Sequence, residues 1–251
     1  MMGWLRRGLG YLGAAAVLVA GWWLLALVVD SPALPGPGPA LGDFVTLFFS
    51  DLLPELGVSA WRVVASMAIS VALAAPLGLL VGRSPRLDAV VAPMIFLTYP
   101  VPKIVFLPVL LVLLGIGGAP KIALIALIVF FQILVTARDA ARQIPAASVL
   151  SVRSLGATRS QVFRHVVVPA ALPDIFTALR ISTGTAIAVL FFSESIAGTS
   201  GVGYYIIDAW SRIAYSEMFA GIITMALLGV VLYELLEMAE ARVCAWTRAG
   251  R

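Results

Sequence analysis

The chain has 251 residues, of which 61% are hydrophobic and only 12% are charged, and its formal net charge is +4. Soluble domains are roughly half apolar and about a quarter charged, so this composition argues against a soluble enzyme and a disordered protein. The single cysteine and single histidine exclude an intrachain disulfide and a zinc cluster made from those residue types alone. The composition therefore indicates an integral membrane protein, and basic residues beside apolar runs indicate a lipid bilayer rather than nucleic acid as the partner.

Six apolar stretches have about the length of 17–25 residues that a helix needs to cross the hydrocarbon core. We expect the first to be an uncleaved anchor, because its apolar run exceeds the roughly 7–15 residues of a signal-peptide core. Prolines in the third stretch, and Arg180 and Glu194 in the fifth, predict irregular helices there. Gly78 and Gly82, four residues apart, permit close helix packing. The six stretches are residues 11–29, 61–81, 90–114, 122–137, 175–197 and 218–236.

Basic residues are distributed unequally between the two predicted sides of the membrane. Of the 17 lysines and arginines, twelve fall on one side and only Lys121 and Arg212 fall on the other. Because Lys and Arg are enriched in short cytoplasmic loops, we predict that both chain termini are cytoplasmic. Residues 30–60 then lie outside, and the prolines and glycines at 31–39 predict an extended linker that leaves span one peripheral to a five-helix core.

The predicted cytoplasmic segment 138–174 contains signals for two short helices. Pro145 suits the first position of a helix over residues 146–155. Gly156 suits the left-handed residue that commonly follows the last helical turn.

A second short helix is predicted over residues 160–168. Thr158 and Gln161 have the spacing of a capping box, and Pro169 and Pro173 are expected to end the helix before the next span. Two such helices joined at a glycine form a compact exposed projection. The residues alone fit an interfacial helix resting on lipid headgroups equally well.

The run of residues 153–173 resembles the cytoplasmic loop of the permease subunits of bacterial ABC importers. The pattern of that family is Glu-Ala-Ala, three residues, Gly, nine residues, and then Ile-x-Leu-Pro. Gly156 matches the glycine, and Val166, Val168 and Pro169 match the later element. The chain departs from the pattern at its front, where Leu-Ser-Val replaces Glu-Ala-Ala.

Two further segments resemble the nitrate, sulfonate and taurine branch of those permeases. They are the residues around the third span, 99–117, and the residues that end the fifth, 193–205. The resemblance covers roughly residues 61–236 in order. It points to the branch without naming a substrate.

The resemblance implies an all-α membrane protein with six transmembrane helices, in which a five-helix core of the type I ABC importer permease kind follows an N-terminal helix. A cytoplasmic coupling-helix loop would lie between spans four and five. The expected divisions are residues 1–58 for the N-terminal helix and linker, 59–240 for the permease core and 241–251 for a cytoplasmic tail. The residues expected to couple to an ATPase are Leu150, Arg153, Ser154, Leu155, Gly156, Ala157, Thr158, Gln161, Val166 and Pro169.

The partners implied by the resemblance are a second copy of the chain, two cytoplasmic ABC ATPase subunits and a periplasmic binding protein, all assembled at the bacterial inner membrane. The chain is not expected to be an enzyme. A phosphate-binding P-loop places Lys directly after Gly, whereas the only lysines here follow Pro102 and Pro120. No cofactor is therefore expected on this chain, and Mg-ATP is expected on the partner ATPase.

The solute pathway is expected near the break in span three. Lys103 beside the break is a candidate contact for a small anionic solute of sulfonate, nitrate or taurine type, and a snorkelling or paired lysine is the structural alternative. Glu194 is expected to pair with Lys103 or Arg180 or to mark the pathway, and Ser200 lies in a glycine-rich turn expected near the outer gate. The candidate pathway residues are Tyr99, Pro100, Pro102, Lys103, Glu194 and Ser200.

A secondary transporter or channel that works without an ATPase is the alternative function. Broken helices and buried charges fit it. It offers no reason for the glycine and proline pattern between Gly156 and Pro169.

Overall fold

The computed structural model describes residues 2–248, which contain helices and no strand. Residues 249–251 of the predicted tail and the side chains of Arg6, Arg7 and Arg248 lie outside the described part. The α-helices are α1 (Met2–Val29), α2 (Pro37–Leu47), α3 (Leu53–Arg83), α4 (Pro85–Thr98), α5 (Leu107–Leu114), α6 (Gly118–Gln143), α7 (Ala146–Ser154), α8 (Arg159–Val162), α9 (Val168–Ala197), α10 (Val202–Ser211) and α11 (Tyr215–Val243).

Four continuous helices are long and apolar enough to cross a membrane. They are Pro37–Arg83, Gly118–Gln143, Arg159–Ala197 and Tyr215–Val243. A fifth span consists of α4 and the segment Lys103–Leu114, which are bent by 83° relative to each other. With the shorter apolar part of α1, Gly13–Val29, these spans confirm the predicted helical membrane fold of a five-helix core and an N-terminal helix.

The bend in the third span confirms the predicted proline break. α4 ends at Thr98, and the chain resumes as a short 3₁₀ helix over Lys103–Phe106 before α5. Pro100 and Pro102 lie between them. Neither proline has an amide hydrogen to continue a helix, and each ring crowds the preceding turn.

The prediction of an extended linker before the bundle is wrong. Only residues 30–36 are non-helical; α2 begins at Pro37, and the π-helical turn Phe48–Leu52 joins it to α3 in one helix of 47 residues. Proline is favourable in the first turn of a helix, where its missing N–H has no partner to lose. Pro37 therefore starts a helix in a sequence whose proline content suggested an extended chain.

The prediction that Pro169 and Pro173 end a helix is also wrong. The chain is helical without interruption over Arg159–Ala197. A π-helical turn at Phe163–Val167 precedes α9, and within it the Val168 N–H donates to the Phe163 carbonyl five residues back. The wider turn shifts the hydrogen-bond register just before Pro169, where an ordinary turn would leave the ring against a carbonyl.

The helices α3 and α6 approach each other closely at Gly78 and Gly82, the glycines singled out by their spacing. A Cβ atom placed on Gly78 would lie 2.6 Å from the Leu134 carbonyl oxygen and 2.8 Å from Ala137 Cβ. A Cβ on Gly82 would overlap the Arg138 carbonyl oxygen. Side chains that would separate the two backbones are therefore excluded here, as in other small-residue helix contacts in membranes.

We expect Gly78→Val to lower the free energy of unfolding by about 1–3 kcal/mol, because the added side chain must push α6 away from α3. The matched control is Gly57→Val on the same helix, since a Cβ at Gly57 meets no atom within 4 Å. Thermal unfolding of both variants in the same detergent measures the difference. Equal midpoints for the two variants would show that the close approach at Gly78 is not needed.

Candidate functional site

The 138–174 segment forms two short helices around a glycine turn. Gly156 has φ +87°, the left-handed conformation predicted for it. Thr158 caps α8: the Gln161 N–H donates to Thr158 Oγ1 at 3.3 Å, and the Thr158 N–H donates to Gln161 Oε1 at 2.8 Å. The predicted capping box is confirmed. We refer to residues 146–162, which comprise α7, this turn and α8, as the knob.

The knob has one face against the bundle and an apolar tip that faces away from it. Val149 and Val162 are buried beneath it, whereas Leu150 and Leu155 are 63% and 87% exposed. Leucines exposed on a segment that leaves the apolar bundle are available for contact with another protein. Of the residues expected to couple to an ATPase, Arg153, Ser154, Gly156, Thr158 and Gln161 are also exposed, whereas Ala157, Val166 and Pro169 are half-buried.

A buried ion pair lies at the opposite end of α9 from the knob. Glu194 is 0% exposed, and its carboxylate accepts from the Arg62 guanidinium at 2.6 Å. It also accepts from the Ser59 hydroxyl at 2.9 and 3.0 Å and from the Gly203 N–H at 2.9 Å. Buried charges are stable only when paired and hydrogen-bonded, and this carboxylate has partners from α3 and from the start of α10.

The same cluster holds the glycine-rich turn at residues 198–201. The Arg62 guanidinium donates to the carbonyl and to the hydroxyl of Ser200, at 2.8 and 2.9 Å. The N–H groups of Gly201 and Val202 donate to Glu55 and to Ser59, respectively. We call Glu55, Ser59, Arg62 and Glu194, with the backbone of 200–203, the outer network.

Gly201 is a position where only glycine fits. Its φ is +104°, and a Cβ atom there would overlap the carboxylate of Glu194. The glycines of this turn therefore bring the backbone against a buried charge. They do not form a nucleotide loop, since the amides of Gly201 and Gly203 donate to the carboxylates of Glu55 and Glu194.

The predicted partners of Glu194 are wrong. Arg180 and Glu194 lie on the same helix about 21 Å apart at 1.5 Å per residue, and Arg180 instead pairs with Glu240 of α11 at 3.0 Å. Lys103 donates to the carbonyls of Thr98 and Tyr99 at 3.2 and 3.1 Å. The counterion of Glu194 is Arg62.

Lys121 is a buried cation that sequence reasoning assigned to an outer loop. It is 1% exposed, and its ammonium group donates to the carbonyls of Gly117 and Ala197 at 3.0 and 2.9 Å. It therefore ties the start of α6 to the end of α9. The sequence signal for burial was its position directly before the apolar run 122–137, because ionisable residues in spans are usually paired inside the bundle.

The proline break opens on a cleft of about 300 Å³. The Lys103 ammonium lies 4.5 Å from the centre of the Phe131 ring, a distance typical of a cation–π contact. Gln132 donates to Thr185 at 3.3 Å, while its buried Oε1 has no hydrogen-bond partner among the described residues. Tyr99 also lines this cleft. The candidate pathway residues therefore divide into a group at the break and a group, Glu194 and Ser200, in the outer network.

The apolar bundle, the proline-broken span and the projecting knob are features of the membrane subunit of a transporter. Residues 74–243 match the family model of the binding-protein-dependent transport system inner membrane component, and the chain belongs to that family. The family predicted from the sequence is confirmed. The protein is therefore a multi-pass protein of the inner membrane.

Relatives agree over nearly the whole chain. The taurine transport system permease protein TauC of Escherichia coli (strain K12) is 33% identical over 94% of this chain and 88% of its own length. The putative aliphatic sulfonates transport permease protein SsuC of Bacillus subtilis (strain 168) is 30% identical over 92% of this chain and 85% of its own.

The fold is similar to that of a chain of the MetNI methionine ABC transporter in an inward-facing conformation. The TM-score is 0.64 at 21% identity, over 76% of this chain and 95% of that one. This likeness and the family together confirm the predicted class, a type I ABC importer permease.

We expect Arg62→Met to destabilise the chain by about 3–5 kcal/mol, because Glu194 would remain buried without its cation. Adding Glu194→Gln should recover part of the loss, since a neutral amide needs no counterion. The control Arg212→Met removes exposed ion pairs with Asp208 and Glu217, worth about 0–1 kcal/mol. Thermal unfolding midpoints of the three variants test this order, and equal midpoints for Arg62→Met and Arg212→Met would contradict it.

Proposed function

We propose that the chain is the permease subunit of an ABC importer that moves a small anionic solute of sulfonate, taurine or nitrate type. A periplasmic binding protein delivers the solute, and a separate ATPase that docks on residues 138–174 drives transport. The observation that carries the proposal is the knob, on which Leu150 and Leu155 remain exposed among the described residues. The names of the relatives support a sulfonate-type solute.

The proposed orientation puts the knob and both termini in the cytoplasm. Twelve of the 17 basic residues then lie on the cytoplasmic side, as expected for short loops. Arg138 and Arg142 near the end of α6 bond to Asp88 near the start of α4 at 2.5 and 3.1 Å. These contacts hold the end of α6 against the start of α4. The basic residues there and those of the knob therefore lie at the same end of the bundle.

Movement of the knob has a direct route to the outer network. The helix that begins at Arg159 in the knob continues to Ala197, and at 1.5 Å per residue its 39 residues span about 58 Å. Glu194 in its last turn binds the start of α10 and, with Arg62, the turn at 198–201. In this proposal, closure of two ATPases draws two knobs of a homodimer together, and each long helix carries the motion to its outer turn as a rigid lever.

The proposal requires no cofactor on this chain, because Mg-ATP binds to the partner ATPases. The subunit positions helices and opens or closes a path. Hydrolysis supplies the energy on another polypeptide.

The anionic solute is proposed to pass the cleft at the proline break. Non-helical backbone at membrane depth is tolerated where it lines a cavity or is buried in protein, and the cleft holds a cation, an aromatic ring and an unpartnered amide oxygen. The donors of Lys103 are directed to the carbonyls at the end of α4. Its contribution to an anion is therefore the charge at the break rather than a free hydrogen bond.

The experiment that tests the proposed function compares transport with and without a partner ATPase. The chain is purified with its co-expressed ATPase and reconstituted into proteoliposomes, and uptake of taurine is measured with the binding protein outside and ATP inside. We expect uptake only when ATPase, ATP and binding protein are all present. Uptake by the chain alone would support the secondary transporter or channel and overturn the proposal.

We expect Gly156→Val to uncouple the ATPase, because a β-branched residue is strained at φ +87° and the knob would change shape. The strain of about 1–3 kcal/mol is relieved if the turn distorts, and the knob then no longer fits the ATPase. We therefore expect taurine uptake in the reconstituted system to fall about tenfold or more. The control Ala147→Val lies at an exposed helical position of α7 and should retain uptake. Wild-type uptake by Gly156→Val would count against a docking role for the knob.

Lys103→Met should lower uptake of an anionic solute while the complex still assembles, because the break loses its positive charge. Lys103→Arg keeps the charge and should retain more uptake than the methionine variant. The comparison uses initial uptake rates at equal amounts of assembled complex. If both variants take up taurine like the wild type, Lys103 has only its structural role at the end of α4.

A further inference from the structure

A cleft of about 830 Å³ lies at the basic end of the bundle, between the junction of α3 with α4 and the knob. Four arginines line it: Arg83, Arg86, Arg153 and Arg159. No acidic residue is among its lining residues. A volume of this size is within the roughly 300–1,000 Å³ of small-molecule sites.

The charges in this cleft are not neutralised by the described part of the chain. Arg86, Arg153 and Arg159 are exposed and make no ion pair with a described residue. The neighbouring carboxylate of Asp88 bonds to two arginines of α6 instead. Guanidinium groups that converge without a counterion favour an anionic ligand, and phosphate matches their planar donor geometry.

The start of α4 adds to the positive potential. Ser84 is the N-cap of this 14-residue helix, and its hydroxyl accepts from the Leu87 N–H at 3.4 Å. Ser84, Pro85 and Leu87 line the cleft. The first turn of α4, with its partial positive charge, therefore faces the same space as the four arginines.

An apolar surface continues from the cleft along α4. Leu87 of α4 lines the cleft, and Val90 and Met94, three and seven residues further along the same face of α4, are exposed. No described residue of α4 is buried. A basic cleft at the end of an apolar helix surface matches a molecule with an anionic head and an acyl tail.

We propose that this cleft binds the headgroup of an anionic phospholipid, with the phosphate against the arginines and an acyl chain along α4. The continuous apolar surface favours a lipid over an acidic surface of a partner protein. Leu150 and Leu155 at the tip of the knob, which we assign to the ATPase, do not line the cleft. The bound lipid would brace the knob against the junction of α3 and α4, independently of which solute is carried.

The test is native mass spectrometry of the full chain released from detergent after equilibration with equal amounts of dioleoyl phosphatidylglycerol and dioleoyl phosphatidylcholine. We expect the wild type to retain phosphatidylglycerol preferentially. In the double variant Arg86→Gln/Arg159→Gln, the preference for phosphatidylglycerol should fall about 10- to 30-fold. Each basic residue near anionic lipid contributes about 1 kcal/mol of binding free energy. Arg164→Gln is the matched control, since Arg164 is an exposed arginine of the same segment that does not line the cleft.

A second arm adds millimolar inorganic phosphate or glycerol 3-phosphate before equilibration, to separate a lipid headgroup from a free anion. Retention of phosphatidylglycerol in their presence supports the lipid. Displacement by either soluble anion would assign the cleft to a free phosphate compound and overturn the proposal. An unchanged preference in the double variant, or an equal loss in Arg164→Gln, would also overturn it.

Discussion

A charge inside an apolar bundle must find its partner within the protein. Arg62 and Glu194 meet this requirement at 2.6 Å, and the Ser59 hydroxyl and the Gly203 N–H donate to the same carboxylate. Because the bundle offers no water to replace these groups, the pair fixes α3 against α9. It also holds the turn at 198–201 in one position.

The ion pair also connects the outer network to the knob, because Glu194 lies on the helix that begins in the knob. The helix Arg159–Ala197 runs uninterrupted from the knob to the outer network, because a π-helical turn accommodates Pro169. α3 packs on α6 through Gly78 at backbone distance. In this chain, close backbone packing and one buried ion pair therefore join the core helices, and the sharp bend lies at the proline break of the third span.

Local signals in the sequence predicted the structure well, and signals that depend on distant partners did not. The left-handed Gly156 and the capping box of Thr158 and Gln161 involve only neighbouring residues, and both are confirmed. The partner of Glu194 was predicted wrongly, although topology places Arg62 and Glu194 at the same end of their spans. The π-helical turn at Phe163–Val167 was not predicted, because a proline such as Pro169 predicts a break in a helix and not the wider turn that accommodates it. The roles of the candidate site residues stay predictions.

The proposed docking of an ATPase requires the knob to lie on the cytoplasmic side of the membrane, and chemical labelling tests this directly. The probe is the thiol of Leu155→Cys, because Leu155 is 87% exposed. The variant also carries Cys244→Ser, which removes the native thiol, whose pKa is raised by burial. A membrane-impermeant maleimide is applied to spheroplasts and to inverted inner-membrane vesicles, with and without the co-expressed ATPase. We expect labelling only in inverted vesicles, and protection there when the ATPase is present. Labelling in spheroplasts, or labelling that the ATPase does not change, would contradict it.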